Sequence, residues 1–163
     1  MKYNHIVTAT SQNRPNRFIA HVWVDGIYDL IAVYKEGFGL VNIDSQAPNK
    51  VAAEWLATKD YTYVKSEYTY GKSRVDFYME KGEEKYLMEV KGCTLEIDGV
   101  GYFPDAPTER GVKHLRELAG AVQQGYHCSI TFVIQMEGVT EVRPYGIMHK
   151  GFEKAFEEAK EAD

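Results

Sequence analysis

Short runs rich in β-branched and aromatic residues make up most of the chain, and apolar spacing of helical period interrupts them at three places. Up to Asp44 the runs His5–Thr10, Arg17–Val24, Asp29–Tyr34 and Gly39–Asp44 read as strands, separated by Pro-Asn, Asp-Gly and glycine turn signals. A small all-β unit over residues 1–44 is the natural assignment. Helical spacing begins at Ser45, with Pro48 suited to a first turn and Val51, Ala52, Trp55 and Leu56 on one stripe to Ala57. Three further strand runs follow at Tyr61–Tyr70, Ser73–Glu80 and Lys85–Asp98. After a proline-bounded loop, a helix is expected from Thr108 to Gln124, with Thr108 as N-cap, Glu109 in the first turn and Gly125 as the stop. The nearly continuous apolar run His127–Met136 reads as a strand buried on both faces. A short strand at Val139–Arg143 and a helix bearing Phe152, Ala155, Phe156 and Ala159 close the chain. Strands alternating with helices in this order predict an α/β domain with a mixed sheet over residues 45–163.

Composition narrows the class only in part. The 163 residues are 44% hydrophobic and 26% charged, which is globular composition and excludes wholesale disorder. No apolar run reaches membrane-spanning length and no signal-peptide core stands at the N-terminus, so a cytoplasmic protein is expected. Cys93 and Cys128 lack metal-like spacing and read as small reduced residues in strands, without zinc. A formal net charge of −5 gives no overall attraction to a polyanion. Any nucleic-acid surface must therefore be a local one.

The chemistry lies where two strand runs meet. A tight turn centred on Gly82-Glu83 pairs Glu80 with Lys85, and the same register sets Asp76 opposite Glu89 and Arg74 opposite Lys91. Those four share one face, while Val75, Phe77, Met88 and Val90 form the apolar opposite face. Two opposed carboxylates, with Cβ atoms about 5 Å apart, repel unless a cation sits between them. Hard oxygens at an open site suit Mg²⁺ or Mn²⁺, and Lys91 can orient or deprotonate a water. The competing reading is a solvated strand face with weak ion pairs. The acid-x-lysine pattern itself is common: it recurs at Glu83-Glu84-Lys85 in the turn and at Glu158-Ala159-Lys160 on a helix.

Other residues complete the candidate set. Glu54, on the first helix, could add a third carboxylate to the metal site or face solvent. Arg110, Lys113 and His114 fall along one side of the second helix, whose N-terminus attracts phosphate, so this side is a candidate DNA surface. His114 has a structural hydrogen-bonding role as its alternative. Arg74 on the hairpin, and Arg14 and Arg17 in the loop Asn13-Arg14-Pro15-Asn16-Arg17, are further candidate DNA contacts. Pro104-Asp105 has no strand-borne acid-x-lysine at hairpin spacing after it and reads as a loop.

The stretches Arg14–Val22, Leu40–Val51, Ser73–Tyr78, Glu89–Glu96, Phe103–Leu118 and Phe132–Met136 resemble, in order, the sugar fermentation stimulation proteins, SfsA. The run FPDAPTERGVKHL is the most distinctive of them. The resemblance implies an OB-like β-barrel followed by a PD-(D/E)xK restriction-endonuclease-like core, with DNA bound without clear sequence preference. It also implies a link to the regulation of sugar, especially maltose, metabolism. Its nuclease motif falls on Asp76, Glu89 and Lys91, the three residues that the hairpin register selects. Two departures stand out. Between the strands at His21–Val24 and Asp29–Val33, where the family carries a substantial segment, only Asp25-Gly26-Ile27-Tyr28 remains, and the chain stops at Asp163 ahead of the family's final strand. Either the OB-like barrel is incomplete or a segment is lacking.

Overall fold

A four-stranded mixed sheet organises the molecule. The computed structural model describes residues 1–4, 6–16, 19–23 and 30–162, with the backbone alone for residues 11, 13–16 and 19–23. The sheet is built from β5 (Tyr63–Tyr70), β6 (Ser73–Lys81), β7 (Glu84–Cys93) and β10 (His127–Ile134) in the order β10-β7-β6-β5. β6 runs antiparallel to both β5 and β7, and β10 lies parallel to β7, which makes the sheet mixed, as expected. The hairpin closes as Glu80↔Lys85 and Lys81↔Glu84 around Gly82, whose φ of +62° glycine adopts without steric cost.

Helices cover both faces of the sheet. On one side α1 (Ala47–Leu56) lays Ala52 and Leu56 on Phe77, Met79, Met88 and Val90. On the other side α2 (Glu109–Val122) lays Leu118 and Ala121 on Val75, Tyr78 and Leu87. α3 (Lys150–Glu161) then packs on α2 through Phe152 and Ala155 against Val112 and Leu115. Beside the main sheet lies a three-stranded one, β11-β9-β8, made of β8 (Leu95–Ile97), β9 (Val100–Phe103) and β11 (Val142–Pro144). At the N-terminus, β1 (Thr10–Asn16) pairs with β2 (Ile19–Trp23), and β3 (Ala32–Lys35) with β4 (Gly39–Asn42), as two separate two-stranded ribbons. Val41, Cys93, Met136 and Val139 form a small core that ties β4 to the end of β7. Among the described residues no helix is long and apolar enough to cross a membrane.

Several expectations are corrected. The first strand is Thr10–Asn16 rather than His5–Thr10, so the Pro15-Asn16 turn signal lies inside a strand. Register irregularities at Ser11/Asn13 and Asn13/Asn16 accommodate it, since an edge strand with bulges tolerates proline. Ser45 does not cap α1. Gln46 holds the cap position without a side-chain bond, and Asp44 Oδ1 accepts the Gln46 N–H at 2.8 Å. Thr108 does cap α2, accepting the Gly111 N–H at 3.0 Å. The run Lys85–Asp98 breaks into β7 and β8, and β9, in place of the expected loop, returns alongside β8. The last short strand lies at Val142–Pro144 rather than Val139–Arg143. Among the described residues β10 is the edge strand of its sheet, and it is only half-buried along its second half. Its apolar run reflects helices on its faces rather than a central position.

Candidate active site

The candidate acids and the lysine are brought together where β6 and β7 part. The backbone ladder runs from Lys81↔Glu84 to Phe77↔Met88, and the expected pairs Asp76–Glu89 and Arg74–Lys91 do not continue it. Asp76 instead turns its own carboxylate towards β7, where Oδ2 accepts the Val90 N–H at 2.7 Å. A side-chain oxygen thus replaces the next rung. A second irregularity lies opposite Asp76 on the far side of β6. Ser66↔Phe77 and Tyr68↔Val75 flank Glu67, whose φ of +51° is a left-handed backbone that L side chains adopt with strain. The alternation of β6 breaks at the same place: Val75 packs with the α2-side core rather than with Phe77, Met88 and Val90.

Beside this opening lies a cleft of about 270 Å³ lined by Asp76, Glu89, Lys91, Asn49, Thr108 and Arg110 among others. α1 contributes Asn49, whose Nδ2 donates to Asp76 Oδ1 at 3.0 Å. β7 alternates, sending Met88 and Val90 to the α1-side core and Glu89 and Lys91 to the cleft. α2 enters by its N-terminal turn, which places Thr108, Arg110 and Gly111 at the rim and the helix dipole's positive end against the carboxylates.

Glu89 is the centre of this arrangement and is only 3% exposed. Its Oε1 accepts from Lys91 Nζ at 2.5 Å and contacts His114 Nδ1. Its Oε2 is buried with no hydrogen-bond partner. Burial by itself pushes the Glu89 carboxyl up, but the His114 hydrogen bond and the Lys91 charge outweigh it and hold the group below its ordinary value. Glu89 is therefore an anion at neutral pH. A buried anionic oxygen without a donor is costly, and a hard divalent cation is the partner that such an atom accepts. Asp76 supplies a second carboxylate to the same cleft. Among the described residues no cluster of three or more His, Cys, Asp or Glu forms a ready-made metal cage. Two carboxylates with water filling the remaining positions is a coordination that Mg²⁺ tolerates. The residues present fit such an ion.

The other candidates are placed as follows. Arg110 lines the cleft. Lys113 is exposed, 3.6 Å from Glu117 on its own helix. His114 leaves the surface row it was expected to form with them: it is buried and turned inwards to Glu89. Arg74 is exposed and pairs with Glu67 at 3.4 Å, away from the cleft lining. Glu54 is exposed and bonds the amino terminus of Met1 at 2.5 Å, and does not line the cleft. Arg17 lies outside the described residues, and of Arg14 only its place in β1 is described. Asn49 was missed by sequence reasoning, because its partner Asp76 lies on another element and the contact depends on how α1 docks.

Gly92, directly after Lys91, was also missed. A Cβ there would lie 2.1 Å from Gln135 Oε1 and 2.9 Å from Pro48 Cγ. The Gln135 amide can swing aside, but the proline ring on α1 cannot. Gln135 Nε2 also donates to Asn42 Oδ1 at 3.0 Å, holding the segment that leads into α1. Gly92→Ala is therefore expected to cost about 1–3 kcal/mol through overpacking and to shift Pro48 and Asn49 off the cleft. Thermal melts of the variant check this, and an unchanged melting temperature contradicts the close approach.

Fold and site together define a mixed-sheet α/β protein whose central hairpin opens into a carboxylate–lysine cleft. The family model described as "Sugar fermentation stimulation protein RE domain" matches residues 46–163, and the chain belongs to the sugar fermentation stimulation protein family. The sugar fermentation stimulation protein homolog of Desulfitobacterium hafniense (strain Y51) is 42% identical over 197 aligned residues, covering 98% of this chain and 86% of that protein. That alignment is longer than the 163 residues of this chain, so the relative carries residues within the matched span that this chain lacks. The homolog of Clostridium botulinum (strain Hall, type A) is 51% identical over 141 residues, 82% of this chain and 61% of that protein. Among solved structures, the SfsA of Pyrococcus furiosus in complex with Ca²⁺ superposes with a TM-score of 0.73 at 24% identity, over 94% of this chain and 73% of that one. At that identity the likeness establishes the fold.

Proposed function

We propose that this chain is a DNA-binding protein whose cleft is a divalent-metal-dependent phosphodiesterase site of PD-(D/E)xK type. Residues 45–163 form the nuclease-like core, and the two ribbons within residues 1–44 are a reduced OB-like unit. The observation that carries the reading is the buried, partnerless Oε2 of Glu89 beside Asp76 and Lys91 in one cleft. That a protein of the same fold was solved with Ca²⁺ supports a hard divalent cation, for which Mg²⁺ or Mn²⁺ are the physiological candidates.

Asp76 and Glu89 would hold the ion. When bound, it supplies Lewis-acid polarisation of a phosphate and activation of water. Lys91, 17% exposed at its side chain, keeps one proton on Glu89 Oε1 and has two more N–H groups for a water or a phosphate oxygen. Arg110 at the cleft rim and exposed Lys113 one turn on offer the local positive charge that a chain of net charge −5 needs for a polyanion.

A second reading, a DNA-binding regulator linked to sugar metabolism without turnover, is favoured by the lack of a third acidic ligand among the described residues. Incubation with plasmid and single-stranded DNA plus Mg²⁺ separates the two. Cleavage is expected in the wild type and lost in Asp76→Ala and Lys91→Ala. Cleavage unchanged in both variants would sink the assignment of the site. No cleavage, together with binding that weakens steeply as salt rises and phosphate contacts release counterions, would select the regulator.

A further inference from the structure

The burial of His114 leaves a titratable ring that the proposed chemistry does not use. It is 8% exposed, under the cleft, and touches two members of the site. Arg110 Nε stands 3.3 Å from its Nε2 and Glu89 Oε1 adjoins its Nδ1. A guanidinium N–H only donates, so Nε2 must be the acceptor. The proton of the neutral ring is then on Nδ1, where it is donated to the carboxylate. Arg110 and His114 are four residues apart on α2, so one helix face carries both and delivers them in fixed order.

The carboxylate shows the effect. Oε1 takes donors from both His114 and Lys91, and Oε2 is left with none. Two donors on one oxygen lock the carboxylate's rotation and divide its two oxygens between different tasks. We propose that His114 is a positioning residue: it pins Oε1 of Glu89 so that Oε2 is the single oxygen offered to the divalent cation, with Arg110 selecting the ring tautomer that can do so. The proposal rests on the metal-site reading above. Histidines and carboxylates next to a ligand set its orientation and basicity, and losing such a partner weakens metal binding about 10–100-fold.

Substitutions at His114 separate this role from mere packing. Asparagine places its amide N–H close to the ring's Nδ1 and keeps the bond to Glu89. Glutamine places its amide near Nε2, satisfying Arg110 but not Glu89. Mn²⁺ affinity, read by calorimetry on the full chain, is expected to stay close to wild type in His114→Asn and to fall about 10–100-fold in His114→Gln and His114→Ala. Should the alanine variant fail to fold, the Asn–Gln pair, both polar and near the ring's volume, carries the comparison alone. A ¹⁵N spectrum of the wild type should show the proton on Nδ1 and an unprotonated Nε2. Wild-type affinity in His114→Gln, or a proton found on Nε2, overturns the positioning role while leaving the metal site standing. A wild-type protein that binds no Mn²⁺ overturns the metal site and this role together.

Discussion

If the proposed phosphodiesterase reading holds, Glu89→Gln is expected to abolish metal-dependent cleavage while leaving a folded but weakened protein. The carboxylate stands among donors, with Lys91 and His114 both directed at Oε1. If the amide oxygen of glutamine takes that place, its NH₂ falls where Oε2 was, buried without a partner. A cation would then meet a donor instead of an acceptor. The reverse rotamer opposes the amide N–H groups to Lys91 and to the His114 ring. Neither orientation satisfies the site, and losing two charge-assisted hydrogen bonds costs about 1.5–3 kcal/mol each at most. Mn²⁺ titration, cleavage rate and thermal melting on one preparation read the three effects. A variant that cleaves at the wild-type rate removes Glu89 from the chemistry, whatever its stability.

Phe152→Ala is expected to be the most destabilising single truncation outside the site. The ring is fully buried where α3 meets α2, with centroids 5.2 Å from Phe103 and 6.3 Å from Phe156. Gly111 lies against it so closely that a Cβ there would stand 3.2 Å from Phe152 Cδ2. A cavity of this kind costs about 3–5 kcal/mol, a large part of the roughly 5–15 kcal/mol that holds a domain together. For a chain of this size that corresponds to a fall in Tm of roughly 6–20 °C. The effect should reach the cleft, because α2 carries Arg110 and His114 and rests on α3. Ile147→Ala, at a residue 90% exposed, is the control expected to melt like wild type. A Phe152→Ala protein that also melts like wild type contradicts the packing described here.

Patterning alone locates part of the core. Ala52 and Leu56 of the first helical stripe are buried, whereas Val51 and Trp55 of the same stripe are exposed; Phe152 and Ala155 of the last helix are buried, and the β6–β7 turn follows from one glycine. These are local rules, in which neighbours within a few residues decide the outcome. Local rules fail at β1, where a proline falls inside a strand, and at β9, a short glycine-bearing run that pairs on one side with the neighbouring β8 and on the other with the distant β11.

The candidate site divides along the same line. Asp76, Glu89 and Lys91 are legible because two strands joined by a tight turn have few registers, and only one gives each face a consistent character. The family likeness falls on the same three. The pairing itself was read too simply. The ladder ends before Asp76, whose carboxylate accepts the Val90 N–H, and the left-handed Glu67 lies opposite on β5, outside a hairpin argument confined to β6 and β7.

Sequence by itself determined the order of strands and helices, where α2 starts and that Asp76, Glu89 and Lys91 fall on two strands joined by a tight turn, because each depends on spacing along one segment. Tertiary structure alone decided that His114 turns inwards, that Glu54 stays with the amino terminus and that Asn49 and Gly92 shape the cleft. Those outcomes depend on how α1 and α2 are docked on opposite faces of the sheet. Docking is set by the summed fit of many contacts between distant segments, which no spacing within one of them encodes.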